Sequence, residues 1–189
     1  MRTQKSAQQE TIISHALEMF KTQGIKAVRM DDVAKELKIS KRTLYEQFVD
    51  KEQLLLECVM LNSENSKRIY EDFISKTDNL MEILCFFIKY RLEEFSRYNS
   101  LFFMEVIKYK PVRDYLEDIS KSRVKEQENF IKRGIEEGLV VDNINFKLLA
   151  RINKAAIDNL IHDKVYEQYP LSDIFRTFMM VFLRGILTE

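Results

Sequence analysis

Two prolines and four glycines are the only strong backbone breakers in this chain of 189 residues, and their scarcity constrains the fold before anything else does. A turn-rich sheet needs such residues at its reversals, whereas a helix interior tolerates neither, so long stretches free of both favour helices. The apolar residues agree. Ile13, Ala16, Leu17 and Phe20 recur at i, i+3, i+4 and i+7, a spacing that lines one face of a helix. An all-α fold is expected, with no strand pattern and no internal repeat.

Capping residues divide the chain into about nine helices. Ser6 and Gln9 have capping-box spacing, so a first helix starts near Ala7 and ends at Gly24. A second is expected over 31–37, burying Val33, Ala34 and Leu37, with Asp31 and Asp32 at the positive end of its dipole. Ser40 caps a third over 41–47, with Leu44 and Phe48 inward. Asp50 and Gln53 repeat the capping-box spacing, so a fourth starts at Lys51 and runs past Tyr70. Further helices are expected over 79–98 and 101–109, from Pro111 to Gly138, from Asn145 to about 165, and from a cap at Ser172 to about 187.

Charge is distributed unevenly. The whole chain is formally neutral, but residues 1–51 hold 10 Lys/Arg against 7 Asp/Glu, a net of +3, and residues 52–189 carry −3. A basic head on a mildly acidic body fits nucleic-acid binding by the head.

Within that head, residues 31–51 have the parts of a helix-turn-helix. Ala34 is small where a second helix must cross, Ile39 is apolar in the turn, and Ser40 caps the second helix. Lys41, Arg42 and Thr43 then occupy the turn that would meet base edges. Arg42 can donate twice to guanine, and the Thr43 methyl suits thymine. Tyr45 and Gln47 suit phosphates, and Lys51 adds its charge to a helix N-terminus, where phosphate is also favoured.

Residues 10–55 resemble the tetracycline-repressor (TetR) family of bacterial transcriptional regulators. The resemblance lies in Phe20 to Gly24, Asp32-Val33-Ala34, Ile39-Ser40, Thr43-Leu44-Tyr45, Phe48, Lys51 and Leu54. A weaker echo is Gly134 to Gly138 followed by Asn145. Three features depart from the pattern. Arg29 stands where a Ser or Thr cap is usual, and Lys38 replaces a turn glycine. Arg42 and Gln47 replace a small residue and a His, which points to an operator preference particular to this chain. The resemblance implies a three-helix DNA-binding domain over residues 1–50, with Arg29, Ser40, Lys41, Arg42, Thr43, Tyr45, Gln47 and Lys51 at the DNA. It also implies a helical-bundle domain over 51–189 that binds a small effector and forms a homodimer.

The body's own residues support both expectations. Leu148, Leu149, Ile152, Ala155, Ala156 and Leu160 in one terminal helix, and Ile174, Phe175, Phe178, Met179, Phe182 and Ile186 in the other, wrap apolar surface around much of each helix. Such helices are covered on more than one side: one side by their own domain and the other, it is expected, by a second copy, a monomer with a single large core being the alternative. Aromatics concentrated over 83–109 read either as plain core or as an apolar effector pocket. In the pocket reading Phe86, Tyr90, Phe103, Ile107 and Phe130 form the walls, and Asn153, Asp158 and His162 supply polar contacts.

Catalysis lacks its materials. Neither His15 nor His162 has a Glu three residues before it, and no HExxH, P-loop, GxSxG or GxGxxG motif occurs. No enzyme, metal or cofactor is expected. Cys58 and Cys85 form no CxxC and read as reduced core cysteines. Without an N-terminal apolar run or a membrane-spanning stretch, a cytoplasmic protein is expected. The leading function is a ligand-released repressor on a near-palindromic operator. The alternatives are an architectural or protein-regulated DNA binder with no small-molecule effector, and a helical interaction protein that does not touch DNA.

Overall fold

The computed structural model describes residues 5–188. Among them are nine α-helices and one 3₁₀ turn, and the only bridge is the isolated antiparallel pair Val140–Leu187. The chain separates into two compact units: the residues up to Lys76 with Leu101–Glu117, and Thr77–Ser100 with the residues from Asp118 onward.

The first unit is built on α1 (Ala7–Gln23), α2 (Met30–Glu36), α3 (Lys41–Gln47) and α4 (Lys51–Ile74), joined by most of α6 (Ser100–Val106). The Ser6 hydroxyl accepts the Gln9 N–H at 3.2 Å, and the Gln9 side chain accepts the Ser6 N–H at 3.0 Å, which closes the capping box. The predicted stripe is buried: Ile13, Ala16, Leu17 and Phe20 line α1 where it packs along α4, against Leu54, Leu55 and Cys58. Val33 and Ala34 of α2 and Leu44 of α3 complete this core, with Phe48 just past the end of α3. Phe102, Val106 and Val112 extend it into α6 and the start of α7 (Lys110–Glu136).

The second unit holds α5 (Leu80–Arg97), most of α7, α8 (Phe146–His162) and α9 (Leu171–Ile186). Phe95 of α5 meets Phe175 of α9 edge to face, with ring centroids 5.2 Å apart. Gly134 is required by packing, because a Cβ there would come within 2.7 Å of the Val140 side chain. The Val141 N–H donates to Ile186 O and the Thr188 N–H to Leu139 O, fixing the end of α9 to the turn that follows α7.

Several boundaries move from their expected places. Ser172 is the second residue of α9 rather than its cap. Pro170, with φ −55° and ψ 139°, already has the extended backbone of an N-cap, and the buried Leu171 starts the helix. α8 stops at His162, because Lys164 takes a left-handed backbone (φ 52°) and a 3₁₀ turn follows at Val165–Glu167. α6 ends at Val106 in a turn closed by Lys108 N–H to Glu105 O and Tyr109 N–H to Val106 O. Cys85 also departs from expectation. Cys58 is a core residue, but Cys85 lies on an exposed face of α5.

Candidate nucleic-acid interface

The candidate site is the exposed face of α3 and the residues flanking it. Ser40 starts α3 from extended backbone by accepting the Thr43 N–H at 3.0 Å, and its hydroxyl lies 2.8 Å from that of Thr43. The Thr43 hydroxyl is thus engaged at the cap. The turn into α3 runs through Lys38 at φ 54°, where the usual glycine would be unstrained, and the Ile39 N–H closes it onto Ala34 O at 3.0 Å. With Leu44 and Phe48 locked in the core, rotation of α3 about its axis is fixed. Lys41, Arg42 and Tyr45 are left exposed, and Thr43 and Gln47 half-buried.

Both cations at the start of α3 have carboxylate partners. The Lys41 ammonium donates to Asp31 at 2.5 Å, and this hydrogen bond, reinforced by the Asp31 charge, raises the Lys41 pKa above its ordinary value. Arg42 donates through Nε to Glu46 at 2.8 Å, one helical turn on. These pairs are well exposed and screened by water, so exchanging them for a phosphate or a guanine costs little. Sequence reading missed both carboxylates as members of the site. The i, i+4 spacing of Arg42 and Glu46 was a usable signal. Lys41 and Asp31 are joined only once the helix-turn-helix is folded.

Arg29, just before α2, is exposed. As the N-cap of α2 it makes no side-chain cap, but its N–H donates to the Asp32 carboxylate at 2.8 Å, so α2 starts firmly without a Ser or Thr. Lys51 is placed differently from the phosphate contact expected of it. Its ammonium turns inward, donating to the Ile25 carbonyl and lying 5.8 Å from the centroid of the Phe20 ring. Burial lowers its pKa, against the opposing charges of Glu105 and Asp32.

The residues expected to line one effector pocket are distributed over both units. Phe103 and Ile107 pack against the core of the first. In the second, Phe86 and Tyr90 stack at 6.3 Å on α5, and Phe130 of α7 and Asn153 of α8 are half-buried. Asp158 and His162 are exposed and separately engaged, Asp158 by Lys154 at 2.8 Å and His162 by Asp163 at 2.9 Å. Among the described residues no group of three or more His, Cys, Asp or Glu is placed to hold a metal ion, and no helix is long and apolar enough to cross a membrane.

Residues 12–58 match the family model of bacterial regulatory proteins, tetR family. No curated protein sequence matches the chain. Solved structures match along nearly its whole length. Regulatory protein TetR from Rhodobacter sphaeroides is 17% identical, with a TM-score of 0.72 over 96% of this chain and 100% of that one. Transcriptional regulator FadR from Bacillus subtilis, in complex with stearoyl-CoA, is 18% identical, with a TM-score of 0.65 over 96% and 100%. A Saccharomonospora viridis protein in complex with choline is 20% identical, with a TM-score of 0.76 over 98% and 100%. At these identities the shared property is the fold. The match over residues 12–58 covers the buried framework of the head and all of α3, and over that segment the chain is similar to bacterial regulatory proteins of the tetR family.

Proposed function

We propose that the protein is a ligand-responsive transcriptional repressor acting in the cytoplasm. A homodimer places two α3 helices in successive major grooves of a near-palindromic operator, with half-site centres about 34–36 Å apart or a multiple of that. The observation that carries this reading is α3 itself: a capped helix, locked by Leu44 and Phe48, that presents Lys41, Arg42 and Tyr45 to solvent. Arg42, Lys41 and the Thr43 methyl read bases, while Tyr45 and Gln47 hold phosphates, flanked by Ser40 and Arg29. Residues 1–50 do the reading, and residues 51–189 bind the effector and the second subunit.

Exposed apolar residues on the last two helices support the homodimer. Leu148, Ile152 and Ile157 of α8, and Met180 and Val181 of α9, are about half-exposed or more, and α8 has no buried residue of its own. Leu148 and Ile152, one helical turn apart on α8, form an exposed apolar strip, and exposed apolar surface of this kind suits association. The effector is small and largely apolar, in keeping with the aromatic content of α5 and with the stearoyl-CoA complex of the Bacillus subtilis regulator. Phe86, Tyr90 and Phe130 of the second unit are its apolar contacts. Asn153, Asp158 and His162 are its polar ones.

Linkage supplies the test. A ligand that favours one conformation weakens operator binding by the same factor by which operator weakens ligand binding, typically about 5–150-fold. Acyl-CoA thioesters and quaternary amines are screened for those that raise the melting temperature of the full-length protein. Operator affinity is then measured with and without each. A stabilising ligand is expected to weaken operator binding, and one that leaves it unchanged argues against the switch.

A further inference from the structure

One peptide group in the turn between α1 and α2 is held on both sides by side chains of opposite charge. Its carbonyl, that of Ile25, accepts from the Lys51 ammonium at the first residue of α4. Its N–H, that of Lys26, donates at 3.0 Å to the Glu105 carboxylate of α6, 79 residues away. The Lys26 ammonium lies 3.7 Å from the other Glu105 oxygen. A peptide dipole is negative at oxygen and positive at the N–H, so a cation on one end and an anion on the other stabilise this single orientation. Ile25 is fully buried and Glu105 is 7% exposed. A carboxylate taken out of water to this degree is costly unless it is paired and hydrogen-bonded. Here the backbone N–H and the Lys26 ammonium supply those partners, and the Lys51 charge is close enough for Glu105 to oppose the lowering of its pKa. Asp32 also acts on Lys51. Tyr109 is raised in pKa by burial and then by the charges of Glu105 and Glu52.

We propose that Lys51 and Glu105 are positioning residues for DNA reading: together they clamp the Ile25–Lys26 peptide and so fix the turn from which α2 and α3 are suspended. Lys51 is the inner half of this clamp rather than a phosphate contact. The inference rests on α3 being the DNA-reading helix. Hydrogen bonds to base edges tolerate only a few tenths of an ångström, and α2 begins at Met30, just past the clamped peptide. Releasing the clamp therefore displaces the reading helix without removing any group that touches DNA.

The test uses the full-length protein and the duplex it enriches from random DNA. Binding of wild type, Lys51→Met, Glu105→Gln and the double variant is measured across salt concentrations. Each single variant is expected to weaken binding, the double variant no more than the worse single one, and the plots of log affinity against log salt to stay parallel. If Lys51 instead holds a phosphate, Lys51→Met flattens the plot by about 0.9 per lost contact and Glu105→Gln leaves affinity alone, which overturns the proposal. A second measurement needs no DNA and covers variants that fold poorly. Urea unfolding of the same four proteins is expected to show the two substitutions coupled by about tenfold in the unfolding constant, whereas additive effects overturn the clamp. The Lys51 ammonium pKa, followed by NMR, falls further in Glu105→Gln. Failure of the wild type to enrich any duplex refutes α3 as a reading helix, while the unfolding cycle still decides the clamp.

Discussion

Arg42 enters any base contact by giving up Glu46, and Lys41 by giving up Asp31. If Arg42 reads a guanine, Arg42→Ala costs about 1–3 kcal/mol on the preferred sequence and relaxes one base position, which point-substituted duplexes detect. If Tyr45 holds a phosphate, Tyr45→Phe weakens all sequences alike. The two cysteines give a separate check. The Cys58 thiol donates to Ile13 O at 3.4 Å, and burial pushes its pKa well above the ordinary 9.0. The folded thiol therefore stays protonated where the unfolded one ionises, so this contribution to stability is present below about pH 9 and lost as pH rises further. At about pH 8 an alkylating reagent is expected to add once, at the exposed Cys85, and a second time only in urea, as mass spectrometry shows. Periodicity named the buried residues of α1 and α3 correctly. It carried nothing about which way Lys51 turns, or that Glu105 meets Lys26, because those partners are far apart in sequence and joined only by packing.

At the scale of elements, caps and backbone strain make opposite predictions at two positions. Gly138 takes φ 72° with nothing within 4 Å of an added Cβ, so Gly138→Ala costs strain alone, about 1 kcal/mol. Lys38 has φ 54°, so Lys38→Gly relieves strain and raises the melting temperature. Phe20→Ala removes the ring beneath Lys51 and leaves a cavity between α1 and α4, at a cost of about 3–5 kcal/mol by urea unfolding. Most helix starts were legible because a cap is a local event: Ser6, Ser40, Asp50 and Asn145 each accept the N–H expected of a cap. Gln53 shows the limit of that logic. Its side chain accepts from Val49 rather than from Asp50, so the second capping-box spacing is only half realised. Ser172 failed as a cap because Pro170 had already set the backbone two residues earlier.

For the whole molecule, the apolar surface on the last two helices was visible in the sequence, whereas its division into core, pocket and subunit contact was not. Phe103 and Phe86 are alike as apolar aromatics at helical spacing, yet one packs on the core of the first unit and the other stacks in the second. If α8 and α9 form the homodimer, Ile152→Asp with Val181→Asp yields a folded monomer by sedimentation, and an unchanged mass places the interface elsewhere. The most direct measurement of the central claim is selection from random DNA, run in parallel with wild type and Arg42→Ala. Wild type is expected to enrich sites with a two-fold axis and half-sites about 10 base pairs apart or a multiple of that. Arg42→Ala is expected to lose preference at one base position and its symmetric mate. Enrichment of nothing by wild type, or of identical sequences by both proteins, contradicts the claim.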